Sequence, residues 1–217
     1  MSEVFITGGT GYIGSRLIPH LAGRGHTVRA LVRAGSEGRL PDGALPLTCS
    51  PLESSTFSPF LTPGSTFVQL LGVPHPSPSM AEQFRRIDLV SVRESVSAAQ
   101  NSGAGHFIYV SVAQPAPAMH AFVAVRSEGE ELIRASGLNA TIVRPWYVLG
   151  PGHRWPYLLL PLYWVCERIP STREGARRLG LVTITQMIRT LLAAVETPAR
   201  GVRVVDVDGI RRSLPLP

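Results

Sequence analysis

The apolar positions of this chain alternate between two rhythms. Val4-Phe5-Ile6 is a short apolar run that stops at Thr7 and glycines, and Tyr12 to Ala22 follows with helical spacing, closed by Gly23 and Gly25. Thr27 to Val32 reads as the second strand, Ala44 to Thr48 as a weak third, and Thr66 to Leu71 as a fourth bounded by Gly64 and Gly72-Val73-Pro74. A helix is predicted from Met80 to Asn101, with Phe84, Ile87, Val90 and Val96 on its inner side. His106 to Val112 is almost wholly apolar, the pattern of a strand buried on both faces of a parallel sheet. A helix over Phe122 to Ser136 and a strand over Ala140 to Val143 follow. Parallel neighbours need crossovers, so this alternation predicts an α/β fold: a doubly wound, mostly parallel sheet of Rossmann type.

After Arg144-Pro145 the pattern breaks. Residues 146–180 hold most of the remaining aromatics, several prolines and an arginine-rich stretch, and predict a small C-terminal cap on the substrate side of a single domain spanning 1–217. The tail resumes with a strand over Leu181 to Ile184, a helix over Gln186 to Val195 and a strand over Val202 to Val207.

The composition narrows the chemistry. Hydrophobic residues make up 44% and charged ones 17% of 217 residues, enough for a sizeable core. The start of the chain has no secretory pattern. The longest apolar run, Tyr157 to Cys166, is too short to span a bilayer and contains Pro161, so a cytoplasmic protein without a membrane partner is expected. Cys49 and Cys166 have no metal or redox spacing, and the six histidines form no ligand pattern, so no metal is expected. All 21 basic residues are arginine, for a net charge of +6. The absence of lysine excludes Schiff-base chemistry and the phosphate-binding lysine of nucleotide hydrolases. Arg168, Arg173, Arg177 and Arg178 have no interleaved aromatics, which speaks for a solvated surface or partner contact and against nucleic acid. The helix over 80–101 and the aromatic segment each offer a face for self-association.

Thr7-Gly8-Gly9-Thr10-Gly11-Tyr12-Ile13-Gly14 carries the strongest functional signal. It follows the first strand and opens a helix, where Gly8 permits a tight turn, Gly11 admits a pyrophosphate, and Gly14 lets the helix pack close to the sheet. A dinucleotide cofactor is therefore expected on Gly8, Thr10, Gly11, Tyr12, Ile13 and Gly14. Where an acid would accept the ribose 2′-hydroxyl of NAD, the second strand ends in Val32-Arg33. An arginine there suits a 2′-phosphate, so NADP(H) is expected over NAD(H), with Arg16 and Arg39 as possible helpers.

These residues resemble the atypical and extended short-chain dehydrogenase/reductases, including the NmrA-like and NAD(P)H-binding branches. The strongest parts are Thr7 to Gly14, Tyr109-Val110-Ser111 and Arg144-Pro145-Trp146-Tyr147-Val148-Leu149-Gly150-Pro151-Gly152. The resemblance implies that the last of these, through Pro145 and Val148, walls the nicotinamide. It also implies that Leu71-Gly72-Val73 runs beside the adenosine ribose, and that Ser50-Pro51 sits where relatives carry an acid facing adenine. The family's catalytic Tyr-x-x-x-Lys pair is replaced: aligning the Glu-Glu-Leu-Ile-Arg-x-Ser-Gly-Leu ending of the helix puts Phe122 and Arg126 in its place. Phenylalanine has no exchangeable proton and arginine stays protonated, so Arg126 is expected to hold a ribose hydroxyl or an amide rather than relay a proton. Ser111 occupies the family's serine position. A proton donor, if one acts, is then Ser111 through water, His120, Tyr147 or Tyr157. Three readings stay open: an oxidoreductase with a non-standard acid acting on an unknown small molecule, a cofactor-binding sensor or scaffold, and a structural subunit.

Overall fold

The computed structural model describes residues 1–152 and 158–213; His153 and Tyr157 lie outside that range. Seven strands form one sheet in the order β3-β2-β1-β4-β5-β6-β9, every neighbouring pair parallel. They are β1 (Glu3–Thr7), β2 (Thr27–Val32), β3 (Ala44–Thr48), β4 (Thr66–Gln69), β5 (His106–Val110), β6 (Ala140–Val143) and β9 (Val202–Val205). The doubly wound sheet read from the alternating pattern is thus present, with β2, β3 and β6 at their expected bounds.

Side chains alternate across the sheet and sort into two cores. Val4, Ile6, Val68 and Ile108 face α1 (Gly14–Gly23) and α7 (Ile184–Glu196), which bring Leu17, Ile18, Leu21, Met187, Ile188 and Leu191. Phe5, Phe67 and Phe107 face the other way, among Phe57, Phe84, Val92, Val96 and Ile133. On that side lie α3 (Val90–Ser102) and α4 (His120–Ala135). Phe67 is directly opposite Phe107 in the ladder, and their rings stack at 5.4 Å.

Several elements depart from the sequence reading; β4 and β5 each end two residues before their predicted ends at Leu71 and Val112. The helix predicted over 80–101 is broken: a short turn α2 (Ala81–Gln83) leads into a π-helical stretch, Phe84–Leu89, before α3 begins. The wider π turn buries Phe84, Asp88 and Leu89 together, so an acid enters the core beside the aromatic residue. The strand β8 (Leu181–Thr183) joins a separate two-stranded parallel sheet with β7 (Tyr147–Leu149), outside the main sheet. Between them lie α5 (Leu160–Cys166) and α6 (Pro170–Arg178). Finally, β9 stops at Val205, because the Asp206 carboxylate accepts from Gly209 N at 2.8 Å and caps α8 (Val207–Arg211). Among the described residues, no helix is long and apolar enough to cross a membrane.

Candidate functional site

The strand order reverses between β1 and β4, and in an open parallel sheet a ligand crevice forms beyond the carboxyl ends of the strands at that point. Thr7 ends β1 and Gln69 ends β4, and both side chains are buried. Thr7 Oγ1 donates to Gln69 Oε1 and accepts from the backbone N–H groups of Leu70 and Leu71, at 3.3 and 3.4 Å. Gln69 in turn donates to Ser91 Oγ at 2.9 Å and accepts from Ser95 Oγ at 3.0 Å. This hub ties both strand ends to α3 and fixes the two turns that border the crevice.

The first turn is the glycine-rich one. Gly8 has φ +71°, and a Cβ there would also press on the Leu70–Leu71 backbone. Gly11 N donates to Gly8 O at 3.0 Å, and a Cβ on Gly14 would overlap Gly8 O, so α1 packs against the turn as closely as its sequence predicts. The first turn of α1 contains no acid, and Ile13 at its N-cap supplies no side-chain acceptor. The helix therefore presents uncapped N–H groups and the positive end of its dipole beside bare glycine backbone, which fits a pyrophosphate.

Tyr12 and Arg16 join this turn to the loop after β6. The Arg16 guanidinium lies 4.3 Å over the Tyr12 ring, donates to Tyr12 O at 2.8 Å and reaches Pro151 O at 3.5 Å. A Cβ on Gly150 would overlap the Tyr12 hydroxyl, so this loop closes directly on the glycine turn. Pro145 is buried at its start; Tyr147 and Val148 are half-buried in β7, with Trp146 edge-on to Tyr147 at 5.6 Å. Arg33 is exposed just past β2, and Arg39 is exposed in the 3₁₀ turn Glu37–Arg39. Ser50 is exposed and accepts from Leu52 N at 3.4 Å, while Pro51 is buried. Thr10, Leu71 and Gly72 are half-buried at the crevice, and Val73 is buried.

The relay position is where the sequence expectation needs revision. Phe122 packs edge-on against Phe84, with ring centroids 5.1 Å apart. Arg126, expected on the cofactor, points into the protein: Nη2 is 2.5 Å from Asp88 Oδ1, Nη1 donates to Val110 O at 2.9 Å, and the side chain is only 9% exposed. A guanidinium so deeply buried needs an anionic partner, and the π turn supplies one. Burial pushes the Asp88 carboxyl above its ordinary range, against the opposing pull of Arg126. Asp88 Oδ2 also accepts from Val73 N at 3.0 Å, and a Cβ on Gly72 would overlap Arg126 Nη2. Arg126 thus reaches the crevice through the Gly72–Val73 turn.

Ser111 is buried at the end of β5, and its Oγ donates to Glu130 Oε1 at 2.7 Å. Glu130 also accepts from Gln114 Nε2 at 3.0 Å and from Arg144 Nε and Nη2 at 2.8 and 2.5 Å. His120 is exposed and lines a cavity of about 540 Å³ with Gln114, Pro115, Ser127 and Arg144. Two residues along a helix is a rotation of about 200°, so His120 and Phe122 stand on opposite faces of α4. The structure brings together Gly8–Gly14, Leu71–Val73 and the loop from Pro145, and places His120 on the neighbouring cavity with Gln114 and Arg144, the two donors to Ser111's partner Glu130.

Sequence reasoning missed Gln69, Asp88 and Glu130 as site residues. Their signal was present: Asp88 sits four residues after Phe84 on the predicted inner face, and Gln69 falls inside an apolar strand.

Comparison with known proteins agrees with this geometry. A family profile described as NAD(P)H-binding matches residues 8–153. The chain is 27% identical over 213 residues to ceramide reductase from Caulobacter vibrioides, covering 96% of this chain and 65% of that protein. It is 30% identical over 170 residues to protein TIC 62 of Arabidopsis thaliana chloroplasts, covering 65% of this chain and 26% of that one. The fold matches the Bordetella bronchiseptica enzyme WbmH, solved with NAD⁺, at a TM-score of 0.70 and 20% identity, over 95% of this chain and 75% of WbmH. The chain belongs to the NAD(P)H-binding family, and its cofactor is a nicotinamide dinucleotide.

Proposed function

We propose that the protein is an NADP(H)-preferring oxidoreductase that reduces a carbonyl on an apolar, lipid-like substrate without the Tyr/Lys relay. The observation that carries this reading is the continuity of the crevice. Glycine turn, β4 turn and Pro145 loop border one another, and Ser111 sits beside them on the end of β5. The dinucleotide, when bound, supplies the hydride. The chain's own part is to bind and orient: the α1 N-terminus takes the phosphates, and Arg33, exposed beyond β2, takes the 2′-phosphate. Ser111, which donates to Glu130 in the free protein, turns its hydroxyl proton to the substrate oxygen, and water supplies the proton that this oxygen takes up as the hydride reaches the carbon. Segment 146–180 is read as the substrate-side cap, and its aromatic character together with the likeness to ceramide reductase supports an apolar substrate. A cytoplasmic location belongs to the same reading.

Calorimetry with NADP⁺ and NAD⁺ tests the cofactor half. Arg33→Ala is expected to weaken NADP⁺ binding by about 1.5–3 kcal/mol and leave NAD⁺ nearly unchanged, since one charge-assisted contact is removed. Equal losses for both would mean that Arg33 does not read the phosphate. In a folded Gly11→Val variant, binding of both dinucleotides should collapse; retained affinity would move the phosphate site elsewhere. The catalytic half is tested by NADPH oxidation against long-chain and short-chain ketones, with turnover confined to the apolar set as the expected result.

Phe122 favours a second reading, in which the protein binds NADP(H) as a sensor or scaffold. Tight binding with no turnover on any carbonyl would select it.

A further inference from the structure

Beyond the loop that closes on the glycine turn, the aromatic segment carries an exposed apolar surface. Leu158 is 83% exposed, Trp164 59%, and Val165 and Ile169 each 45%. Among the described residues, the other exposed large apolar side chains are spread over distant strands and loops: Met1, Leu45, Leu52, Phe60 and Val204. Four such side chains within one short stretch form a patch, and a patch on a surface marks a contact.

Its charge says what kind of contact. Arg168 lies 3.5 Å over the Trp164 ring and donates to Trp164 O, so its guanidinium rides on the edge of the apolar surface. Arg173 and Arg177 are exposed on α6 alongside. The two acids of the segment are matched within the fold, Glu167 by Arg211 at 3.1 Å and Glu174 by Arg178 at 3.7 Å. Asp206 and Asp208 share a cavity with Arg173 and Arg177, so five arginines around the patch (168, 173, 177, 178 and 211) meet four acids (Glu167, Glu174, Asp206 and Asp208); the balance is positive, with Arg168 beside Trp164 nearest the apolar surface. An interface between two copies of the chain would bring these arginines against one another, whereas an anionic lipid surface complements them. Exposed Trp and Leu with arginines at their rim is the composition of an element that lies in the headgroup region.

We infer that residues 158–177 form a docking surface for an anionic membrane, with Trp164, Val165, Leu158 and Ile169 entering the headgroup layer and Arg168, Arg173 and Arg177 on lipid phosphates. The expectation of no membrane partner rested on the absence of a spanning run; surface docking needs none. The inference is independent of the proposed reaction, because it requires neither a bound dinucleotide nor turnover.

The test is co-sedimentation of the protein with phosphatidylcholine vesicles, with and without about one-third phosphatidylglycerol, at physiological salt. Binding is expected only to the anionic vesicles, weakening steeply with added salt. Trp164→Ser/Val165→Ser and, separately, Arg168→Gln/Arg173→Gln/Arg177→Gln should each lower it at least about tenfold. Both variants should keep their melting temperature and NADP⁺ affinity, since neither touches the glycine turn. Absence of binding to anionic vesicles would overturn the inference, as would equal binding to neutral vesicles or full binding by Trp164→Ser/Val165→Ser. A dimer seen by light scattering and abolished by that same variant would assign the patch to a second copy instead.

Discussion

At the scale of single residues, the informative pair is Phe122 and Arg126. Phe122 has no exchangeable proton, and the Arg126 side chain turns inward to Asp88. Removing one member of a buried ion pair leaves the other uncompensated, at a cost of about 3–5 kcal/mol. Arg126→Met should therefore lower stability by roughly that amount and loosen the Gly72–Val73 turn, raising the Kd for the dinucleotide. Adding Asp88→Asn, which retains an acceptor for Val73 N–H, should restore much of the stability; additive losses in denaturant titrations would mean that the two residues do not act as a unit. Phe122→Tyr with Arg126→Lys supplies a hydroxyl and an amine at the relay position. Some NADPH-dependent reduction of simple ketones, titrating near neutral pH, is the expected gain. Robust wild-type turnover of the same ketones, insensitive to changes at both positions, would make another residue the acid, with Tyr147 and His120 next to substitute.

At the scale of elements, the strands are held by what lies across from them. Phe5, Phe67 and Phe107 share one register across β1, β4 and β5 on one face. Phe67→Ala, the central member, should cost about 3–5 kcal/mol in chemical denaturation. At the start of β5, His106 is buried, accepts from Ala199 N at 3.3 Å and meets Thr141 Oγ1 at 3.1 Å. Burial, with Arg203 nearby, lowers its pKa from 6.5 to about 4. The unfolded chain then binds this proton first as pH falls. The neutral ring's contribution is complete above about pH 6.5 and is lost progressively down to about pH 4, roughly 3 kcal/mol in all. His106→Gln should flatten that part of the stability profile. These elements were legible because period-two and helical spacings report burial directly, and β2, β3 and β6 were bounded by glycine, proline or charge. The π turn was not legible, since the Asp88–Arg126 contact it carries joins residues 38 positions apart. Nor did spacing distinguish a strand of the main sheet from β8, whose partner β7 is also short and apolar. The glycine turn could be read from its residues alone; the Thr7–Gln69–Ser91 hub behind it forms only when three elements meet.

At the scale of the whole molecule, the crevice draws on most of the chain, from Gly8 to the loop through Gly150, so its occupancy should be felt globally. A dinucleotide at 100 times its Kd adds about 2.7 kcal/mol to the folded state, enough to raise the melting temperature by roughly 5–10 °C. A shift this large with NADP⁺ and a smaller one with NAD⁺ at equal concentration is the expected thermal signature of the proposed NADP(H) preference.

The order of the strands has one more consequence. An open sheet ends in two unpaired margins, and β3 is one of them. Cys49 N donates inward to Val32 O, so along β3 the odd-numbered amides face β2 and the even-numbered ones face out. Pro46 falls on the outward set and has no N–H to offer. A foreign strand approaching this margin meets a gap in the row of donors, which protects the protein from edge-to-edge polymerisation. Pro46→Val would complete the row. Light scattering on mild heating should then show the variant associating at a lower temperature than the parent, with the monomeric fold and dinucleotide affinity intact.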